Sequence, residues 1–444
     1  MYIYKKVTLL LLTLAFIGVN TFAQENITTV TKNGKISWKS ENSQYKWSVG
    51  GRIYMDAVHY LDDVTDLSSG TSIHDTRLYA TAKWDKWDAK INFDFSHNTV
   101  DAKDLFVSYN FNNHSYIRTG NFAEPFGIQG FISSKSNSFI GSSFSGSAFG
   151  IGRSVGISYT NYSEKYFLSG GIFGGKIGND NLGDGGFSVT GKAVYTPIVE
   201  EGMTVHVGAS ASYRLPDANG FENNDDDYNR LVHYTAGPEH KFLNAKIAGA
   251  VEEIRLNAEF LGTYGRFMLQ SEYYITDVAR DKDYETALLN DGGSDLWQWP
   301  STEGDYPAWY GEMDNRSFSG YYVQAGWLIK GNDYSYNNST AFINRPEAGS
   351  LEMLVRFNNT NLNDIDGLFF DGGYHHSDPE SAAAGMGNFS IGGGESQDVS
   401  VAVNYYFTNN VMLRLNYTYM DIDNDFYRQD DNVSILQARL QINF

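Results

Sequence analysis

The end of the chain alternates. Leu436, Ala438, Leu440 and Ile442 fall on one face, and Gln437, Arg439, Gln441 and Asn443 on the other, before the chain stops at Phe444. A strand has a side-chain period of two, so this segment is apolar on one side and polar on the other. A closing strand that ends on an aromatic residue has the pattern of an outer-membrane barrel, whose outer face meets lipid and whose inner face meets water or packed polar groups. A strand of a soluble sandwich alternates in the same way, so the rest of the chain has to decide.

The chain has 444 residues and no cysteine. Disulfides, thiolate metal sites and lipid attachment to a cysteine are therefore excluded, and the lack of thiols suits export through an oxidising compartment. Residues 1–23 read as a secretory signal. Lys5 and Lys6 form the charged start, Leu9 to Val19 the apolar stretch, and Thr21-Phe22-Ala23 a small-x-small cleavage site. That stretch is shorter than the roughly 20 residues of a membrane-spanning helix, and no comparable apolar run follows. A membrane location therefore requires strands. Loss of Lys5 and Lys6 takes the formal charge from −20 to −22, which argues against nucleic acid as a partner because a polyanion is repelled. The 31 Tyr and 28 Phe suit aromatic girdles at the two membrane interfaces.

Residues 24–44 form a polar lead. Alternating segments follow near 46–57, 73–84, 88–96, 102–111, 114–122, 153–161, 165–174, 186–198, 203–215, 253–262, 265–277, 317–330, 349–360, 396–407, 411–423 and 432–444. Their lengths suit tilted strands crossing a bilayer. Connections alternate between short (Asp85-Lys86, 162–165, 262–265, 408–410) and long (58–72, 123–152, 216–252, 278–316, 361–395). Short turns on one rim and long loops on the other define an all-β, transmembrane antiparallel β-barrel over 45–444, with about 16 strands and a lumen wide enough for water. The stretch 331–348 is long where a short turn is due.

The run Ile117-Arg118-Thr119-Gly120-Asn121-Phe122-Ala123-Glu124-Pro125-Phe126-Gly127, the Ser- and Phe-rich loop 131–151 after it, and Gly152-Arg153-Ser154-Val155-Gly156 resemble a signature of the phosphate-selective porin O and P family. Gly326-Trp327-Leu328-Ile329-Lys330-Gly331 with Tyr334 resembles a second step of that family. The resemblance implies a 16-stranded outer-membrane channel, commonly a homotrimer, whose long third loop (here 123–152) folds inward to narrow the pore. It also implies passage of phosphate, and here the sequence departs. Selectivity for anions needs cations at the narrowing, yet loop 123–152 holds one lysine, Lys135, and one acid, Glu124, with Arg153 just after it.

Lys135 and Arg153 are the candidate eyelet residues, and Arg52, Arg77, Arg255 and Arg356 the candidate wall residues. Inward strand positions also carry Asp56, Asp75, Asp94, Asp104, Glu253, Glu259, Glu272 and Glu352. The lumen is thus either laced with compensating charges or lined by a basic track. The functional reading is passive diffusion of small hydrophilic solutes, phosphate included, with outer-membrane lipid as the surroundings and no cofactor, metal or catalytic residue. Two alternatives remain: a structural or adhesive barrel without an open channel, and a hydrolase set in the barrel wall. For the hydrolase, His206 reads better as a polar wall residue, and no Gly-x-Ser-x-Gly elbow sits in a strand–helix setting. His375-His376, and the Asp/Asn-rich runs 223–227 and 421–425, read as outer-loop residues; the calcium-loop spacing is absent.

Overall fold

The computed structural model describes residues 27–32, 35–40, 44–61, 67–177, 185–217, 230–237, 241–280, 315–364, 391–423 and 431–444. The signal segment 1–23, the run 223–227 and His375-His376 lie outside these residues.

The alternating segments become strands β1 (Tyr45–Leu61), β2 (Gly70–Trp84), β3 (Trp87–Asp94), β4 (Asp101–Asn112), β5 (Ser115–Ala123), β6 (Arg153–Tyr162), β7 (Tyr166–Phe173) and β8 (Phe187–Glu200). The second half holds β9 (Met203–Leu215), β10 (Ala250–Tyr264), β11 (Phe267–Arg280), β12 (Arg316–Lys330), β13 (Leu351–Asp364), β14 (Ile391–Tyr406), β15 (Val411–Asp423) and β16 (Asp431–Asn443). Each pairs antiparallel with the next, and β16 returns to β1 from Ser434 opposite Leu61 to Asn443 opposite Arg52. The sheet closes as a 16-strand barrel, which leaves no open edge at membrane depth.

The polar lead 24–44 contains a hairpin, Ile27–Lys32 with Lys35–Ser40. Its second strand pairs with β1 from Ile36 opposite Val49 to Lys39 opposite Lys46. It therefore prolongs the line of β16 past Phe444, whose backbone N–H and carbonyl both bond Gly51.

The outer face carries the exposed apolar side chains. Rings gather at the short-turn rim, where Trp84 stacks on Trp87, Trp87 meets Tyr109 edge-on and Phe267 stacks on Trp327. Such rings sit where hydrocarbon gives way to headgroups.

The lumen is filled unevenly. Loop 123–152 folds inward and carries one short helix, α1 (Phe144–Phe149), capped by the Ser143 hydroxyl, which accepts from the Gly146 N–H. Above it, the long connection between β9 and β10 sends in a second hairpin, Leu231–Ala236 with Leu243–Ala248. Its Val232, Tyr234, Leu243 and Ile247 are buried with Phe144 and Phe149 of α1 and with Phe318, Leu362, Met420 and Ile435 of the wall. Below it, the long stretch after β12 also turns inward. Tyr334, Phe342 and Ile343 pack there against Ile128 and Phe139 of the loop and Leu261, Met268 and Leu354 of the wall. The apolar fill lies mainly against β10–β16, where these strands present large apolar side chains to the inside as well as the outside.

Candidate functional site

Loop 123–152 is tacked to the wall along its length. At its start the Glu124 carboxylate is fully buried and accepts from Ser154 (2.6 Å), Ser188 (3.1 Å), Thr190 (2.6 Å) and Arg214 (3.0 Å). At the next turn Glu272 on β11 accepts the backbone N–H groups of Ile128 (2.6 Å) and Gln129 (3.2 Å), while Lys192 donates to the Gly127 carbonyl (2.6 Å). Gly127 has φ +62°, and a Cβ there would lie 2.6 Å from a Glu272 oxygen. The glycine of the Pro-Phe-Gly step is thus required both by backbone shape and by close approach. Gly120 has φ +128° and lies against the backbone of Leu105 and Phe106, so a side chain has no room there either.

Two of the predicted wall arginines belong to this anchorage. Arg255 donates to the Phe149 carbonyl (3.0 Å), and Arg356 donates to the Gly141 carbonyl (3.3 Å) and lies over the Phe139 ring. Arg414, which donates to the Phe139 carbonyl (3.3 Å), does the same. These guanidiniums satisfy loop carbonyls that the fold removes from water. His206 also braces the interior: its ring bonds Glu259 (2.9 Å) and the Tyr336 hydroxyl (2.9 Å) of the lower inward segment.

The other predicted residues lie across the lumen from this fill. Arg52 and Asp75 form a two-pronged pair at 3.0 and 2.5 Å. Arg77 holds Asp75 (2.9 Å) and Asp94 (3.2 Å) through Nε alone. Arg153 holds Asp104 (2.7 Å) through Nε, and Lys90 holds the same carboxylate (2.6 Å). Cations and carboxylates therefore alternate up the inner face of β1–β4, with each carboxylate shared. The terminal guanidinium nitrogens of Arg77 and Arg153 have no partner among the described residues. Lys90 and Arg153 keep 31% of their side-chain surface in water, whereas Glu259 on the filled side keeps none. Within the strip, Lys90 and Arg153 are the cations that water reaches most, while Arg52, Asp75 and Asp94 are buried.

Lys135 faces the strip from the loop. It sits in a single 3₁₀ turn, Ser134–Ser136, whose Ser134 hydroxyl accepts from Arg52 (2.9 Å). The residue is exposed by surface area and has no ion-pair partner among the described residues. Its pKa is held below the usual lysine value by surrounding protein, and then by the positive charges of Lys90, Arg52, Arg345 and Lys35. The fold thus gathers Lys135, Arg52, Arg77 and Arg153 and places Arg255 and Arg356 elsewhere.

Sequence reasoning missed Lys35, Lys103 and Arg118. Lys35 reaches the strip from the N-terminal hairpin and lies 5.8 Å from the Tyr79 ring centre. Lys103 approaches Asp94 (3.9 Å). Arg118 stands within the run that carried the family resemblance and lies over the Phe106 ring at 4.1 Å. The period-two pattern already put Arg118 on the inner face, beside Tyr116 and Phe122.

Comparison with known proteins agrees with this architecture. The family model described as phosphate-selective porin O and P matches residues 48–444. Porin O of Pseudomonas aeruginosa is 26% identical over 230 residues, 47% of this chain and 50% of that protein. The chain thus spans about half the length of the curated relative it matches. Two solved structures share the fold. A loop L8 deletion mutant of OmpT, an outer membrane protein of Vibrio cholerae, has a TM-score of 0.51 at 10% identity, covering 90% of this chain and 99% of that one. The outer membrane channel DcaP of Acinetobacter baumannii has a TM-score of 0.51 at 13% identity, covering 91% and 99%. With a matched region running from the first strand to the last residue, the chain belongs to the phosphate-selective porin O and P family.

Proposed function

We propose that the wetted strip between β1–β6 and the tip of loop 123–152 is a diffusion path that favours small anions, inorganic phosphate among them. The carrying observation is Lys135, an unpaired cation facing a wall whose other cations are only partly neutralised. Along that wall Arg52, Arg77, Lys90, Lys103 and Arg153 share the carboxylates of Asp75, Asp94, Asp101 and Asp104, and Arg118 holds no carboxylate among the described residues. A charged ring at a narrowing sets the local potential, whatever the net charge of the whole molecule.

In this reading Lys135 and Arg153 form the eyelet with Arg52 and Arg77, while Arg255 and Arg356 hold the loop that shapes it. The protein performs no chemistry. Solutes move down their own gradient, sieved by width and sorted by charge. Export by the 1–23 segment and assembly as a homotrimer in outer-membrane lipid are part of the same proposal and rest on the sequence pattern and the family.

The test is the reversal potential of purified protein in a planar bilayer under a KCl gradient, with and without added phosphate. An anion preference that phosphate reduces by blocking chloride current supports the proposal. A cation preference, or none, removes it. Absence of conductance brings the structural barrel forward.

A further inference from the structure

Arg118 differs from every other arginine of the strip. Arg52, Arg77 and Arg153 each hold a carboxylate. Arg118 holds none among the described residues; its Nε donates to the Ser108 hydroxyl at 3.0 Å, and its outer nitrogens are unengaged. Its guanidinium lies instead against rings, 4.1 Å from the centre of Phe106 and 4.9 Å from that of Tyr116. Lys90 is the direct cross-strand neighbour of Phe106, and its ammonium lies 5.9 Å from the centre of the Tyr79 ring. Arg118, Phe106, Tyr116 and Tyr79 are all half-buried, so rings as well as cations reach the lumen water.

Such a patch is poorly matched to a bare inorganic ion. Phosphate is small, strongly hydrated and gains nothing from a ring face. A path that served only inorganic ions would leave these positions to polar side chains, as β6 does with Ser154 and Ser158. A guanidinium stacked on a ring is held flat, and it presents its outer N–H pair edge-on to a planar carboxylate. The ring beside it offers apolar surface to whatever the carboxylate is attached to.

We infer that this patch is a subsite for organic anions carrying an apolar ring, the simplest being an aromatic carboxylate. Its head group lies on the unengaged outer nitrogens of Arg118, with Lys90, which holds Asp104, as a second cation nearby, and its ring lies against Phe106 and Tyr116. The inference rests on the anion path proposed above and names a solute class for it.

The experiment is block of chloride current through the full-length channel by benzoate and by acetate, after the chloride reversal potential has been measured. Half-block by benzoate is expected at about five-fold lower concentration than by acetate, the size of one ring contact beside a cation. In Phe106→Ser the gap should close while chloride preference stays. Arg118→Gln, which keeps a bond to Ser108 within reach, should close it through the head group and serves if the first variant does not insert. Equal block by the two anions in the unaltered channel overturns the inference, as does a gap that survives both substitutions. Loss of chloride preference in the unaltered channel is a different failure: it removes the anion path itself.

Discussion

At the scale of single residues, two arginines placed by the same alternation rule do different work. Arg77 and Arg356 both point inward, but Arg77 meets water and Asp94, while Arg356 meets the carbonyl of Gly141. The distinction depends on which part of the wall the loop covers, and strand periodicity carries no such information. Substitutions should separate the two classes. Lys135→Glu with Arg153→Glu should lower the anion/cation permeability ratio several-fold, as bilayer reversal potentials would show. An unchanged ratio would place the eyelet elsewhere. Arg356→Gln should leave the ratio nearly intact and lower the temperature at which the folded band is lost on electrophoresis. Lys135 also gives a pH signature. Because its pKa lies below that of an ordinary lysine, its proton is lost earlier as pH rises. Anion preference should therefore weaken on the alkaline side at a lower pH than an ordinary lysine would give, and Lys135→Arg, which stays charged, should suppress that loss.

At the scale of elements, the loop is a rigid part of the wall rather than a tether. Glu272 binds two consecutive backbone N–H groups of its first turn, and such buried hydrogen bonds are each worth about 0.5–1.5 kcal/mol. Glu272→Ala should loosen the turn and raise current noise, whereas Gly127→Ala should cost about 1–3 kcal/mol through its left-handed backbone alone. Thermal unfolding of both variants, read beside single-channel traces, checks this; quiet traces in Glu272→Ala would mean that the remaining anchors suffice. The elements also show where the sequence was legible. Sixteen alternating segments and their order were readable because period-two patterning is a local signal; the inward fold of the loop after β5 was expected only from the family resemblance carried by the Pro-Phe-Gly run. The hairpin at 231–248 was not. It lies inside a long connection, and its alternation of Val232, Tyr234 and Ala236 with Leu231, His233 and Thr235 is too short to stand out. One signal did exist. β11–β16 carry large apolar residues on the inner face, such as Tyr274, Phe318, Leu354 and Met420, and a lumen filled with water has no use for them. Residues of that kind call for an apolar partner, which the hairpin and the lower inward segment supply.

At the scale of the whole molecule, the barrel is divided lengthwise into a packed half and a wet half. The packed half braces the ring of strands from inside. In the proposed function it would confine solutes to the side where β1–β6 carry the charge ladder. Replacement of residues 231–248 by a short glycine–serine linker should raise conductance and lower thermal stability together, because the same segment narrows the lumen and covers its apolar wall. A variant with unchanged conductance would show that the hairpin lies off the path.

The N-terminal hairpin has a consequence of its own. It brings Lys35 beside Lys46, Lys90 and Lys83; burial first, and then their charges, hold its pKa below the usual lysine value. Lys35, Lys46 and Lys83 stand toward the rim of short turns, and among the described residues no such lysine cluster stands on the strip at the other mouth. Fixed charge placed at one end of a narrow conduit makes it electrically polar. In dilute salt, where screening reaches only about 30 Å at 0.01 M, the current at +100 mV and at −100 mV should differ in size, in the manner of a diode, and the asymmetry should vanish at about 1 M. Removal of residues 27–40 should flatten the current–voltage curve, which would make the short leading hairpin the part that gives this channel a direction.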